Sequence, residues 1–499
     1  MRLIDVYVPI IIRIVLRRFV LYIVLLLACG GCFWACDDSD SFTLDRNARL
    51  LFSTDTLKFD TVISTIGSST RQMMVYNRNA EGIRVVSVRM KKGEQTPFRV
   101  NVHGSFLEPE SGARAYDFEV RTGDSLRVFA EVTMPDMGQD APTQTTDTLL
   151  FLLESGIEQG VILTAVGQDA YIWRGKVIDE DTSLHAGRPY LIYDSLSVSA
   201  GATLHLEQGV QLYFHDKAHL WVHGRIVAEG TKENPVVFRG DRTDRMFDYL
   251  PYDNTPSRWG GVRIKSTSVD NYLNYLDIHS ASYGIACDSA ATDVVKLTLK
   301  NSIIHNVGGE GLGLYHCRAL VENTQISNTL GHCVAVVGGW TEFVHCTIAQ
   351  FYPWDAARGD ALYLANHWLA LDYPLEQASF KNCLVTGYAD DVVVGSLNGD
   401  ENTFNYYFGN CLLRTVPSED VARFENVVFE LAEGENVSEK QFKVFDTENF
   451  IYDFRLKETS MALNIGATAW VADCPTDRDG ISRTNDTAPD AGCYEYVAE

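Results

Sequence analysis

The chain of 499 residues carries 42 lysines and arginines against 66 aspartates and glutamates, which gives a formal net charge of −24 at pH 7. This excess of negative charge argues against nucleic acid and anionic membrane surfaces as partners. Hydrophobic residues make up 46% of the chain, which is enough to bury large cores. The length predicts two or three domains.

Residues 1–36 have the pattern of an export signal. A basic segment with four arginines precedes the apolar run 19–27, and Leu-Leu-Ala-Cys ending at Cys29 fits a bacterial lipobox. Cys36 fits it less well but is followed directly by an acidic stretch. We expect lipidation at Cys36, with Cys29 as the alternative, and a linker over residues 37–44. Two or more acyl chains would attach the protein stably, whereas an uncleaved transmembrane anchor is the other interpretation.

Residues 45–168 predict an immunoglobulin-like β-sandwich. Apolar and polar residues alternate over 57–63 and 126–132, as they do in half-buried strands. Further strand candidates cover 73–76, 83–88, 98–102, 148–152 and 161–165. Seven to nine short strands in about 120 residues are typical of a sandwich. The segment has no cluster of titratable residues, so we interpret it as a spacer or interaction module.

A repeat between Leu273 and Thr415 predicts a parallel β-helix over residues 169–445, followed by a C-terminal cap over 446–499. Each repeat follows the same order: an apolar residue, one spacer, a turn residue, a residue that is small in most repeats, and an aliphatic residue two positions further on. The turn residues are Tyr275, Asn301, Asn323, His345, Asn382 and Asn410. A spacing of about 22 residues is too short for a helix pair and suits one coil of a β-solenoid.

The asparagines of this repeat predict the geometry of the turn. Asparagine tolerates the left-handed conformation that a sharp bend requires. Coils stack roughly 4.8 Å apart, so the amides of Asn301 and Asn323 are expected to form a ladder. His345 should interrupt that ladder before Asn382 and Asn410 resume it.

A second column of alternating residues carries the best candidate chemistry. The inward aliphatic residues that open this column on successive coils are predicted to be Ile285, Leu312, Val334, Leu362 and Val392. Two residues before them lie Tyr283, Glu310, His332, Asp360 and Asp390. Carboxylates about 5 Å apart would repel each other and raise one pKa, and that separation also matches the carboxyl pair of retaining glycosidases. We therefore interpret Asp360 and Asp390 as candidate catalytic residues. The alternative is a column of solvated turn residues without a site.

Neighbouring residues extend this candidate site toward polysaccharide binding. The turn after the fourth repeat contains Trp354, Asp355 and Arg358, and aromatic rings can stack on sugar faces. The predicted binding residues are Glu310, His332, Trp354, Asp355, Arg358 and Asp391.

Three groups of residues could in principle bind a metal, but each fits a structural role better. Cysteines 346, 383 and 411 share a column with serine and threonine, which predicts small packed residues rather than thiolate ligands. His279 and His305 share another column, which we interpret as a solvated face. In residues 239–258, ion pairs account for the mixture of aspartates and arginines at least as well as calcium does. No metal or cofactor is therefore predicted; calcium is possible but unsupported.

The tail from Asp477 to Tyr496 resembles the C-terminal segment of many bacterial β-helix surface proteins. Its Cys493 stands where alanine is usual, and Cys474 lies 19 residues upstream. Two cysteines in an exported tail predict a disulfide. Segments 57–62, 167–170 and 258–262 add to this likeness. On these segments and the tail, the chain resembles Gram-negative surface lipoproteins with a right-handed parallel β-helix of the pectate-lyase-like class. This resemblance implies the fold and an outer-membrane, cell-surface location more firmly than an activity.

Two activities of that class can be tested on the sequence. A pectate lyase needs calcium-binding carboxylates and an arginine base on the outward face of a strand, where this chain has mainly Ala286, Gly313 and Ala335. The Arg-Ile-Lys that ends the polygalacturonase motifs occurs at 263–265, before the acidic coils, and is interpreted as chance. We expect a surface-anchored protein that binds polysaccharide. The alternatives are a structural or adhesion protein that binds another surface protein, and a glycoside hydrolase or lyase.

Overall fold

The computed structural model describes residues 41–247, 249–431 and 438–498. Cys29, Cys36 and Asp248 therefore lie outside the described residues. The described chain forms two compact units: one contains most of the β-sandwich, and the other contains residues 58–69, 132–145 and 165–498, which include the β-helix and its cap. Within these ranges, no helix is both long enough and apolar enough to cross a membrane.

The sandwich consists of two antiparallel five-stranded sheets. One contains, in spatial order, Leu50–Phe52, Arg71–Asn77, Ser125–Val132, Phe98–Val102 and Ser105–Phe106. The other contains Thr56–Ile63, Glu158–Gln168, Thr143–Leu153, Ile83–Met90 and Arg114–Val120. Two 3-10 turns, Gly93–Gln95 and Pro109–Ser111, lie between strands. The inward residues of both sheets are buried, for example Val75, Val85, Val128 and Phe151. The predicted sandwich is confirmed.

The β-helix is one continuous 26-stranded parallel sheet whose coils form three faces, here called sheets A, B and C. Sheet A contains His219–Val222, Gly261–Ile264, Ile285–Cys287, the first part of Leu312–Glu322, the first part of Val334–Val344, Leu362–Ala365 and Val393–Ser396. Sheet B contains Thr182–Leu184, Thr203–Glu207, Arg225–Glu229, Asn271–Asn274, Val295–Lys300, the second parts of Leu312–Glu322 and Val334–Val344, Leu375–Lys381, Phe404–Gly409 and Phe424–Glu425.

Sheet C contains Gln211–Phe214, Val236–Gly240, Leu276–His279, Ile303–Val307, Gln325–Thr329, Thr347–Gln350, Leu384–Gly387, Leu412–Leu413 and Val428–Phe429. The first two long strands, Tyr171–Ile178 and Tyr190–Val198, run from sheet C into sheet A. The parallel β-helix predicted from the repeat is thereby confirmed.

Asparagines turn the chain from sheet B into sheet C as predicted. Asn301, Asn323, Asn382 and Asn410 all have φ between 49° and 52°. The Nδ2 of Asn323 donates to the Oδ1 of Asn301 at 3.0 Å, so the predicted ladder is confirmed. His345 continues the column instead of only interrupting it, because its Nε2 accepts a hydrogen bond from Asn382 at 3.1 Å. Burial, reinforced by the charge of Arg483, holds the pKa of His345 well below its usual value, which keeps the ring neutral.

The small residue after each turn points into the core and accepts a backbone hydrogen bond from the preceding coil. The amide of Leu276 donates to Ser302 Oγ at 3.1 Å, and the amide of Cys383 donates to Cys411 Sγ at 3.3 Å. Cysteines 346, 383 and 411 are fully buried in the same apolar core, which agrees with the packing role predicted for them. This column shows why serine, threonine and cysteine replace one another there.

The cap packs a hairpin, Phe442–Asp446 and Ile451–Leu456, and the C-terminal tail against the coils. The 3-10 turns of this region and the preceding loops are Glu401–Thr403, Ser438–Gln441 and Thr468–Trp470. The predicted disulfide is wrong, since Cys474 and Cys493 are both free thiols. The amide of Cys493 donates to Thr347 Oγ1 and its side chain packs among Ala349 and Phe351, whereas Cys474 contacts the Thr476 carbonyl. Each cysteine therefore fills its own buried position.

Candidate functional site

The predicted acidic column lies at the turns that lead into sheet A. Ile285, Leu312, Val334 and Leu362 are aligned on successive coils, which stacks Tyr283, Glu310, His332 and Asp360 two residues earlier. On the next coil, Leu362 pairs with Val393 and not with Val392. This register puts Asp391 in the column, so the predicted placement of Asp390 is wrong by one residue. The run of three valines offers no apolar signal to choose between the two alignments.

The predicted carboxylate pair of Asp360 and Asp390 is not formed. Oδ2 of Asp360 lies 3.2 Å from Nδ1 of His332, whereas Oδ1 of Asp390 lies 3.3 Å from a guanidinium nitrogen of Arg414. The side chain of Asp390 is 81% exposed. Each carboxylate thus has a partner of its own, and the register leaves Asp390 outside the column that contains Asp360.

The turn residues predicted to bind sugar are largely engaged within the protein. The ring of Trp354 stacks on Phe450 of the cap, with centroids 4.3 Å apart and an interplanar angle of 12°. The guanidinium of Arg358 lies 4.5 Å from the centre of the Tyr388 ring. Asp355 is exposed, and its carboxylate accepts a hydrogen bond from the backbone of Ala357. Asp391 accepts one from the hydroxyl of Thr415 at 2.8 Å.

The outward face of sheet A has a floor of three small residues between two large ones. Arg263, Ala286, Gly313, Ala335 and Tyr363 follow one another across five coils in register. The Tyr315 side chain folds back over this floor and covers Gly313. A Cβ atom added to Gly313 would lie only 3.0 Å from the Tyr315 ring. At the far end, the Tyr363 ring stacks on His332 with centroids 4.6 Å apart.

A cavity of about 350 Å³ opens beside this floor, and we call it the sheet A cavity. It is lined by Arg263, Ser266, Asp288, Ser289, Tyr315, His316, Val337, Trp368 and Tyr373. Trp368 belongs to a hairpin, His367–Trp368 and Leu371–Asp372, that interrupts the path from sheet A to sheet B. Its ring meets that of Tyr315 edge-on at 5.6 Å and is 47% exposed. The cavity therefore presents an open aromatic surface next to charged groups.

The charges of the sheet A cavity are fixed by neighbouring ions. Arg263 forms an ion pair with Asp288, whose second oxygen lies 2.8 Å from Lys265 Nζ. Burial opposes the charge of Asp288, but the two cations outweigh it and lower the pKa of this carboxyl. Burial, together with the nearby charge of Glu310, raises the pKa of Tyr315 to about 12. At neutral pH the cavity thus contains an ionised carboxylate and a phenol that keeps its proton.

Sequence reasoning missed the main residues of this cavity. Arg263 belongs to the motif interpreted as chance, although its alternation with Val262 and Ile264 places it on the outward face. Tyr315 lies on the strand Leu312–Glu322 where the neighbouring coil has Val337, and Trp368 lies on an inserted hairpin, so neither aromatic residue recurs from coil to coil. The small residues at 286, 313 and 335 are predicted to face outward, and the register confirms that they share one face.

The histidine column on sheet C is more buried than predicted. His279 is only 9% exposed and lies between two carboxylates, with Nδ1 2.8 Å from Asp277 Oδ1 and Nε2 3.4 Å from Asp253 Oδ2. Burial opposes its charge, but these carboxylates outweigh it and raise the pKa of His279 to about 9. The interpretation of a solvated face is therefore wrong. Asp253 comes from the irregular segment 239–258, whose ion pairs Arg242–Asp244 and Arg239–Asp253 confirm the predicted salt bridges.

Comparisons with known proteins assign no family. No protein-family model matches the chain, and no curated protein does. Among solved structures, the N-terminal domain of PorA is 14% identical, with 24% of this chain and 97% of that chain covered and a TM-score of 0.17.

Two further solved structures match over a longer part of the chain. The catalytic unit of a GH87 α-1,3-glucanase from Streptomyces thermodiastaticus is 8% identical over 70% of this chain and 89% of that chain, with a TM-score of 0.15. Dex49A from Penicillium minioluteum is 8% identical over 75% of each chain, with a TM-score of 0.14. These values are too low to transfer an activity to this chain.

Proposed function

We propose that this protein is a cell-surface lipoprotein that binds polysaccharide in the sheet A cavity. The observation that carries the proposal is the half-exposed ring of Trp368, set edge-on to Tyr315 beside the Arg263–Asp288 ion pair. Sugar rings combine an apolar C–H face with a rim of hydroxyl groups. An aromatic ring packs against the face, while charged groups make strong hydrogen bonds to the rim.

The size and shape of the cavity support a saccharide unit as the ligand. A volume of about 350 Å³ lies at the low end of the range for small-molecule sites. The cavity borders the floor of small residues, along which neighbouring units of a chain can extend past the Tyr315 ring toward Tyr363.

The carboxylate of the sheet A cavity is better suited to binding a polysaccharide than to hydrolysing it. Of the described residues that line the cavity, Asp288 is the only carboxylate, and it is already held by two cations. A glycosidase of the usual kind needs a second carboxyl group across the scissile bond. The sequence-predicted pair, Asp360 and Asp390, does not supply it.

Attachment to the outer membrane is the second part of the proposal, and it rests on the sequence of residues 1–36. A lipidated Cys36, or Cys29, would tether the two units outside the membrane. Growth of cells with a radioactive fatty acid tests this directly. Label should enter the parent protein and be lost in Cys36→Ser; label lost only in Cys29→Ser would identify the other cysteine.

A glycan array probed with the full-length protein tests the binding function. Trp368→Ala should weaken binding by about 2 kcal/mol, roughly thirtyfold in Kd, as expected for a central aromatic contact. Trp340→Ala is the matched control, because Trp340 lies on sheet B beneath the guanidinium of Arg318 and away from this cavity. Equal loss of binding in both variants, or no loss in either, would reject the sheet A cavity as the glycan site.

A protein partner is the alternative that one observation favours. The same hairpin exposes Leu369 and Leu371, by 86% and 60% respectively, directly beside Trp368. Apolar side chains at an exposed hairpin tip suit a protein surface better than a sugar. Substitution of Leu369 by Ser should leave glycan binding intact if the sugar is the ligand. Loss of a stoichiometric protein partner in that variant, with no glycan signal in the parent, would favour adhesion instead.

A further inference from the structure

We propose that Asp277, His279 and His305 bind a divalent transition-metal ion such as Zn²⁺ on the outward face of sheet C. The three side chains converge because the fold places them there. Asp277 and His279 are two residues apart on one strand and share a face, and His305 pairs with His279 on the next coil. One ligand atom from each side chain lies within 4.8 Å of the other two.

The distances between these atoms suit a tetrahedral ion. Asp277 Oδ1 lies 2.8 Å from His279 Nδ1 and 3.5 Å from His305 Nε2. Bonds of about 2.0–2.1 Å to zinc in a tetrahedron place ligand atoms about 3.3 Å apart. Two of the three separations are thus close to this value and the third is at most 4.8 Å, so side-chain rotations are enough to close the three ligands around one ion. Two imidazoles and a carboxylate form a ligand set that suits zinc and related metals rather than calcium.

A second carboxylate orients His279 in the manner found around metal-bound histidines. Its Nε2 lies 3.4 Å from Asp253 Oδ2, and Asp253 is held in turn by Arg239 at 2.7 Å. Metal-binding histidines usually donate their other N–H to such a carboxylate, which fixes the ring and its tautomer. The backbone is also held, since the indole N–H of Trp259 donates to the His279 carbonyl at 2.8 Å. His279 thus has Nε2 directed at Asp253, whereas Nδ1 faces Asp277 Oδ1 and gives up its proton when the ion binds.

The third ligand, His305, also lines a cavity, which leaves room for a fourth ligand. This cavity of about 410 Å³ lies between sheet C and the cap, and its other walls include Asn254, Gln325, Tyr452, Arg455 and Tyr494. Three protein ligands with an open position that faces a cavity are the arrangement of zinc sites that bind water or substrate, whereas purely structural zinc sites are closed by four. The site is distinct from the sheet A cavity, on another face of the β-helix.

Metal binding should be measured on untagged full-length protein. After treatment with EDTA and dialysis, the protein is titrated with ZnCl₂ by calorimetry, and retained zinc is counted by mass spectrometry. One zinc per chain is expected. His305→Ala and the more conservative His305→Gln should both abolish this stoichiometric binding, and Asp253→Asn should weaken it about 10- to 100-fold.

Two controls test whether these residues are the ligands. His215→Ala should bind zinc like the parent, because His215 has a carboxylate partner, Asp241 at 2.7 Å, but belongs to no group of three potential ligands among the described residues. Co²⁺ substitution should give an absorption spectrum without a thiolate charge-transfer band, which excludes the cysteines as ligands. Absence of zinc binding, or equal binding by folded His305 variants and the parent, would overturn the proposal.

Discussion

The amide of Asn323 donates a hydrogen bond to the side-chain oxygen of Asn301, one coil earlier, while its own oxygen accepts one from the buried guanidinium of Arg483 at 2.6 Å. A single side chain thus connects the turn column of the β-helix to the C-terminal tail. Its Nδ2 also donates to the Thr476 carbonyl. Local turn geometry and cap docking therefore depend on the same residue.

Asn323→Ala should lower the free energy of unfolding of the β-helix by about 3 kcal/mol. The estimate combines the loss of a hydrogen bond to a buried charged group with the cost of a left-handed alanine. Asn410→Ala is the matched control, because Asn410 has the same backbone conformation but donates to the Ile465 carbonyl instead of supporting a buried charge. Urea denaturation of both variants measures the difference. If both substitutions lowered the free energy of unfolding equally, the hydrogen bond from Arg483 to Asn323 would contribute nothing to stability.

Ile326→Asp should prevent the β-helix from folding. Ile326 is fully buried in the core between the coils of Ile304 and Ile348, so a carboxylate there would have no partner. Ile326→Val removes only one methylene group and should cost about 0.5–1.5 kcal/mol. Circular dichroism and limited proteolysis provide the measurement. Native-like melting of the aspartate variant would contradict the inward orientation of this column.

Gly313→Ala should weaken glycan binding while the fold persists. The new Cβ atom would lie 3.0 Å from the Tyr315 ring, so that ring must move off the floor of sheet A. Ala286 occupies the same position on the preceding coil, which shows that the backbone of this face accepts a methyl group. Glycan-array titration and a melting curve separate the two effects. Unchanged affinity would indicate that Tyr315 takes no part in the site.

The buried acids of the tail should make stability depend on pH. Burial, against the opposing charge of Arg483, raises the pKa of Glu495 to about 7 from an ordinary value near 4.5. The folded state therefore holds this proton more tightly than the unfolded chain does. The resulting stability is fully present below the unfolded pKa and is lost as the pH rises through about 7. The Glu495→Gln variant has no proton to release at this position, so its stability does not fall in this way as the pH rises.

The measurement is the difference in melting temperature between Glu495→Gln and the parent across this range. The difference should shift in favour of the variant as the pH rises from about 5 to about 8. Comparison of the two proteins cancels other titrations, notably that of His345, whose lowered pKa acts in the opposite direction. A shift in favour of the parent would show that the Arg483–Glu495 ion pair keeps the carboxylate charged throughout.

The architecture could be predicted from the sequence because each coil repeats the same physical requirement. A left-handed turn selects asparagine, and the next position must be small, so Asn-Ser, Asn-Thr and Asn-Cys pairs mark the coils. Phe343, Phe380 and Phe408 stack in one inward column with centroids 4.8–4.9 Å apart. These signals are local in sequence and are repeated, so they are sufficient to predict the fold.

The candidate site could not be predicted to the same extent because it is built from the departures from the repeat. Trp368 comes from an inserted hairpin that has no counterpart on neighbouring coils. At the separate site on sheet C, Asp253 likewise comes from the irregular segment 239–258. The alignment of Asp390 failed where three consecutive valines left the register undetermined. The disulfide failed because the burial of Cys493 depends on where the tail docks, which no spacing along the chain encodes.

The contact of Arg483 with Asn323 also has a consequence for biosynthesis. The two residues are separated by 160 positions. At translation rates of 5–20 residues per second, the coil of Asn323 is therefore made roughly 8–32 s before Arg483. During that interval the column can rely only on its neighbours above and below. A ribosome that stalls in this interval would leave an open stack whose turn asparagines are exposed to water, and such a species is a natural substrate for proteases.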